Sequence, residues 1–233
     1  MLRAETGPAN HRALTPPRTF RPRRKNVAVP KSRKKPADVF LNIPYDEKFK
    51  DLCLAYIVGL CAFGLIPRAT LEITSGTRRL DRIIKLLQSC EYSIHDLSRV
   101  ELDMKRPVTP RFNMPFELGL SVAWAKLSRS GHKWFVCESK TRRLSKSLSD
   151  LDGTDPHVHS GRVPGVFREL CNVFVTADRH PTIQQMGQIY REVTENLPVI
   201  FSEAGTNSIY TARTFKDICI VARHSADKHV PSK

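Results

Sequence analysis

Asp38-Val39-Phe40-Leu41-Asn42-Ile43-Pro44 is a short apolar run closed by a proline. It lacks the in–out alternation of a half-exposed strand, so it reads as a strand buried on both faces, the kind found in parallel sheets. An apolar helical pattern follows almost at once. Phe49, Leu52, Cys53, Tyr56, Ile57, Leu60 and Phe63 recur at helical spacing, predicting an amphipathic helix, and Gly64 stands where a helix end favours glycine. Leu65 to Thr70 predicts a second strand, with Pro67 pointing to a sheet edge. A second amphipathic helix is expected to bury Leu80, Ile83, Ile84 and Leu87, and Tyr92 to Leu97 reads as a third strand.

Working outward, a long charged loop covers Ser98 to Arg111, and Lys133 to Glu138 reads as a fourth strand. Between them, Asn113 is a candidate N-cap and Pro115 fits a first turn. Phe116, Leu120, Ala123, Trp124 and Leu127 form an apolar stripe expected to face the core. Glu117 is expected in the first turn, where free backbone N–H groups and the helix dipole favour an ionised carboxylate. Beyond residue 139 the pattern weakens. Arg142 to Leu151 is compatible with a helix, Gly153 to Gly165 reads as loop, and Val166 to Val175 fits helix or strand. Ile183 to Val193 predicts a helix that stops before Pro198, and Ile209 to Ala222 fits a last one.

Strands alternating with helices imply an α/β class with a parallel sheet and right-handed crossovers. The division expected is a tail over 1–37, an α/β domain over 38–176 and a helical extension over 177–233. Residues 139–233 as a whole either complete the domain or form an interface of a homo-oligomer.

The chain has 233 residues, 40% of them hydrophobic, and a net charge of +15. Ten of those charges belong to residues 1–37, which hold eleven Lys and Arg against Glu5 alone, together with six prolines. Such a segment cannot bury a core and is expected to be disordered. It either contacts nucleic acid, acts as an electrostatic anchor, or is a solvated leader, and its Arg-rich, acid-poor composition is that of transit peptides. The six cysteines lie mostly in apolar runs without a C-x-x-C pair, so they read as buried hydrophobes of a reducing, cytoplasmic setting. Asp155, His157 and His159 lack a second group at zinc spacing, so no metal is expected. No apolar run reaches the ~20 residues of a membrane span.

Ligands of parallel α/β sheets bind beyond the carboxyl ends of the strands. That rim should gather Asn42, Tyr45, Asp46, His95, Asp96, Arg99, Asn113 and Glu117. The loop after the second strand, with Ser75, Arg78 and Arg79, can bind an anion or simply start a capped helix. The dinucleotide G-x-G-x-x-G, the Walker loop and the G-x-S-x-G elbow are all missing from the sequence. An ionised Glu with a second carboxylate and hydrogen-bonding neighbours suits attack at, or stabilisation of, an oxocarbenium-like anomeric carbon.

Val39-Phe40-Leu41-Asn42-Ile43-Pro44-Tyr45, Asn113-x-x-Phe116-Glu117-Leu118-Gly119-Leu120 and the strand Trp134 to Cys137 together resemble the nucleoside 2-deoxyribosyltransferase superfamily and its bacterial TIR-like, nucleotide-binding relatives. The resemblance covers about residues 38–138. It implies a flavodoxin-like, doubly wound sheet with helices on both faces, and a nucleoside, nucleotide or NAD-like ligand without a further cofactor. It also implies Glu117 as nucleophile, with Tyr45 orienting it or the sugar. Gly119 would allow close approach of helix to sheet or ligand. The transferases carry a base-handling carboxylate just before the nucleophile, where this chain has Arg111 and Asn113. Asp96 or His95 would then assist the leaving base, and Arg99 and Arg111 would favour a phosphorylated substrate. Two functions follow as expectations: an N-glycosidase or deoxyribosyltransferase-like enzyme, and a nucleotide-sensing module without turnover. Nucleic-acid binding through the tail ranks third.

Overall fold

The computed structural model describes residues 35–231 other than Thr74, Ser75, Thr77, Glu101, Met104, Lys105, Pro107 and Asp152. The expected disordered segment therefore lies outside the described residues up to position 34, and so does Ser75.

The elements run β1 (Asp38–Asn42), α1 (Lys50–Ala62), β2 (Ile66–Arg68), α2 (Arg79–Ser89), β3 (Tyr92–Asp96), β4 (Leu102–Asp103), β5 (Thr109–Pro110), α3 (Asn113–Leu127), β6 (Lys133–Glu138), α4 (Arg143–Ser147), β7 (His157–Val158), α5 (Val163–Val173), α6 (Ile183–Ala204) and α7 (Ala212–His229). Five strands form one parallel sheet in the order β2-β1-β3-β6-β7. Counted within that sheet the order is 2-1-3-4-5, as in flavodoxin-like sheets. β4 and β5 make a separate antiparallel ribbon. Pro67 sits in the edge strand β2, as expected.

Alternate residues of the strands serve opposite faces of the sheet. Val39, Leu41, Ile94 and Cys137 join the large cluster with α1, α5, α6 and α7. Phe40 packs on Ile83, Leu86 and Leu87 of α2, and Val136 packs with Met114 and Leu118 of α3. Helices therefore cover both faces.

α1 departs from the amphipathic expectation, since Leu52 to Ala62 is buried without a break. The positions between the expected stripe residues hold Leu54, Ala55, Val58, Gly59 and Ala62, so the helix is apolar all round and is enclosed. α5, α6 and α7 complete the enclosure. The segment from 177 onward is thus two long helices whose Met186, Val193, Ile218 and Ala222 belong to the same hydrophobic cluster as the sheet. Gly64, at φ 76°, ends α1 in the left-handed conformation that glycine adopts freely.

Three further expectations are corrected. α6 runs through Pro198 to Ala204. A proline inside a helix costs about 3 kcal/mol, and here Leu197 and Ile200, both buried, hold the last turns on the core. The expected loop 153–165 contains β7, whose two residues are too few for a periodic signal. On α3 the buried face is Met114, Glu117, Leu118 and Ser121, whereas Phe116 and Leu127 are 55% and 86% exposed. Leu120 and Trp124 of the expected stripe are half-buried, Leu120 against the Phe40 cluster, so the stripe runs along the border of the buried face instead of at its centre.

Candidate functional site

A cleft of about 440 Å³ opens at the carboxyl end of β1. Asn42, Tyr45, Asp46, Arg99, Arg111, Asn113 and Glu117 line it, as the rim argument expected, together with Ile43, Pro44, Thr70, Arg79 and Met114. The parallel sheet accounts for this convergence. β1 ends at Asn42, β3 delivers Arg99 just beyond its end, and α3 starts over the gap.

Glu117 is 4% exposed and pairs with Arg79, Oε1 to Nη2, at 3.6 Å. The first-turn expectation is corrected. The N-cap is Phe112, so Asn113 is the first helical residue, and Glu117 lies a turn deeper. Its pKa is raised, first by burial, with Arg79 opposing the rise. The free N–H groups that would have lowered it belong to the turn before.

Asp46 accepts from Arg111 Nη1 at 3.1 Å, and Arg99 Nε lies 3.4 Å from the same Oδ2. Its Oδ1 is buried without a hydrogen-bond partner among the described residues. Such an acceptor is costly to leave unmet. Tyr45 meets Thr70 Oγ1 at 3.3 Å and packs against Tyr210, with ring centroids 5.6 Å apart. Burial raises the Tyr45 pKa, so the ring stays a neutral phenol. Tyr210 donates to the Asp46 carbonyl at 2.7 Å, which ties the loop before α7 to the cleft. Three arginines face two carboxylates here, so the lining favours an anionic ligand.

Other expected residues stand elsewhere. His95 is wholly buried behind Asn42, whose Nδ2 donates to His95 Nδ1 at 2.9 Å and to the Met114 carbonyl at 3.0 Å. A chain of contacts continues from His95 Nε2 to Ser93 Oγ, His132 Nε2 and, through His132 Nδ1, the Cys90 carbonyl, each step 2.9–3.0 Å. Burial pushes the His95 pKa down to about 3, so it stays neutral and holds Asn42 in place. Asp96 faces the other side of the sheet. It accepts from Tyr56 at 2.7 Å, from the Ser98 N–H at 2.9 Å and from His159 Nε2 at 2.9 Å. Gly161 N–H donates to His159 Nδ1, which places the His159 hydrogen on Nε2. Neither Asp96 nor His95 lines the cleft. Arg78 precedes α2, exposed, and its neighbour Arg79 takes the cleft position. Gly119 is exposed on the outer face of α3, where an added Cβ would meet nothing within 4 Å, so it serves no close approach within this chain.

Sequence reasoning did not single out Thr70, Met114 or Tyr210, and it named Arg78 and Arg79 together without telling which of them faces the cleft. The choice between the two arginines rests on helical phase, which spacing alone leaves open. Tyr210 lies 164 residues from Asp46 and carries no local signal.

Among the described residues no group of three His, Cys, Asp or Glu side chains is arranged for a metal ion. His157 pairs with Glu169 at 3.5 Å and His159 with Asp96, so the two histidines point to different partners. The described cysteines are unpaired, and burial pushes the thiols of Cys53, Cys61 and Cys90 up to about 12. No described helix is long and apolar enough to cross a membrane. No protein-family model matches the sequence, and a search of curated proteins finds no significant match.

Proposed function

We propose that the cleft binds a nucleoside, nucleotide or NAD-like molecule and that Glu117 acts at its anomeric carbon. The observation that carries this reading is the Glu117 carboxylate, 4% exposed, which pairs with Arg79 and lines the cleft together with Tyr45 and Asp46. In the reaction the Glu117 oxygen would form a bond to the anomeric carbon as the C–N bond to the base breaks. The electron pair leaves with the base: a nucleobase takes a proton from water as it leaves, whereas the cationic nicotinamide of an NAD-like ligand leaves neutral without one. Water, or a second base, would then release the sugar from Glu117, giving hydrolysis or transfer. Arg99 and Arg111 would meet a phosphate, with Asp46 holding both guanidinium groups at the cleft. Flavodoxin-like architecture of the superfamily kind is part of this reading, and the 2-1-3-4-5 strand order supports it.

A second reading, nucleotide sensing without turnover, is favoured by one observation. Asp96 and His95, the groups expected to handle the leaving base, do not line the cleft. The two readings separate on incubation of the purified protein with NAD and a panel of nucleosides and nucleotides, with free base measured by chromatography. Base release by the wild type that Glu117→Gln abolishes supports the enzyme. Equal release by both proteins refutes Glu117 as the nucleophile. Thermal stabilisation by a nucleotide without any released base supports sensing.

A further inference from the structure

The outer face of α3 carries apolar surface that nothing in the described chain covers. Phe112, Phe116 and Leu127 are 69%, 55% and 86% exposed along its length, and Leu80 and Ile84 of the adjoining α2 are 42% and 36% exposed. Large apolar side chains present on the order of 150–250 Å² each, so these five leave roughly 500 Å² of mostly carbon surface in water. That lies within the range of the largest patch on a typical monomer, about 300–600 Å², where such patches tend to be functional. A standard interface takes about 800 Å² from each partner, about 60% of it apolar, which is again close to 500 Å².

The shape of the face narrows the occupant. Two apolar grooves flank α3. One, of about 350 Å³, lies against α2 and includes Ile84, Leu120 and Trp124. The other, of about 480 Å³, lies toward Leu148 and Leu151. Ala123 and Leu127 border both, so they form a ridge between two grooves. A twofold interface requires one patch to complement itself, and a ridge lying beside a groove of the same chemistry meets that condition. Gly119 and Ala123, one turn apart and both exposed, keep the ridge low enough for a second helix to approach closely. Lys126 and Asp150 put both charge signs at the rim, so the face does not repel its own copy. The basic segment 1–34 is a poor alternative. It offers one aromatic residue, Phe20, among many cations.

We infer that the α2–α3 face is the interface of a homodimer, with the α3 ridge of each copy seated in the α2–α3 groove of the other. This is independent of the proposed chemistry in the cleft. Sedimentation equilibrium of the full chain at micromolar concentration should give twice the mass of one chain. Leu127→Arg and Ile84→Arg should each return it to one chain mass with unchanged far-UV circular dichroism. As a check that needs no variant, hydrogen exchange of residues 80–88 and 116–127 should slow as protein concentration rises. A wild type of single-chain mass at 100 µM would overturn the inference, and so would a dimer that survives both substitutions. Protection of α2 and α3 that does not depend on concentration would assign the face to another segment of the same chain and overturn it equally.

Discussion

Glu138 ends β6 with its side chain fully buried, and neither carboxylate oxygen has a hydrogen-bond partner among the described residues. Burial pushes its pKa up from 4.5 to about 7; Arg143 and His159 oppose the rise and Asp96 adds to it. The unfolded chain gives up this proton near pH 4.5 and the folded one near pH 7. Between those values the folded state holds about one proton more, so stability falls by about 1.4 kcal/mol for each pH unit and levels off above pH 7. Over the window this amounts to about 3 kcal/mol, which residual solvent screening trims to about 2–3 kcal/mol. Glu138→Gln keeps the volume and removes the charge. Its amide needs partners as well, which shifts the variant by a constant of about 1 kcal/mol at every pH. The readout is therefore the change with pH of the difference between the two proteins. Urea denaturation followed by circular dichroism at pH 4.5, 6, 7 and 8 should show the variant gaining about 2–3 kcal/mol on the wild type from the lowest pH to the highest. A difference that stays constant across that range would refute the reasoning, because Glu138 would then titrate alike in the folded and unfolded chains.

Other perturbations give separate tests. Glu117→Gln should raise the melting temperature at pH 7, since burial already disfavours the ionised side chain, while it removes any base release; a lower melting temperature would contradict the raised pKa. Arg111→Ala should weaken nucleotide binding roughly 10- to 100-fold by calorimetry, the equivalent of one charge-assisted hydrogen bond, and should affect a nucleoside without phosphate far less. Gly165→Ala should destabilise by about 1–3 kcal/mol in denaturant, because its Cβ would overlap the backbone carbonyl of His159, which has no flexible end to move aside. Tyr210→Phe should cost about 1 kcal/mol with the loss of its hydrogen bond to the Asp46 carbonyl, and should weaken ligand binding; unchanged binding would separate the α6–α7 loop from the cleft.

Much of the architecture could be read from the chain because buried parallel strands are continuous apolar runs. Val39 to Ile43, Tyr92 to Leu97 and Trp134 to Cys137 stand out for that reason. From their order alone, Asn42, Tyr45, Asp46, Arg99, Asn113 and Glu117 could be placed around one opening. What spacing could not supply was direction. β3 was visible as a strand, and alternation sends His95 and Asp96 to opposite faces, yet only the packing shows that His95 turns toward Asn42 and Asp96 toward Tyr56. On α3 the expected stripe runs along the border of the buried face, and periodicity cannot say where that face is centred. Tyr210, in the loop before α7, reaches the cleft wall only through its bond to the Asp46 carbonyl, 164 residues away, for which no nearby residue gives a cue.

The enclosed helix α1 bears on how the chain reaches its native state during synthesis. α1 ends at Ala62 and the last helix that covers it ends at His229. At roughly 5–20 residues per second, about 8–30 s pass between the appearance of the first helix and that of its final cover. For that interval Leu54, Ile57, Val58 and Leu60 have no complete burial site, and collapse onto the early strands can shield only one side of the helix. A ribosome-bound nascent chain stalled before α7 should therefore engage chaperones at this segment, and release of the finished chain, with folding after translation, would complete the core.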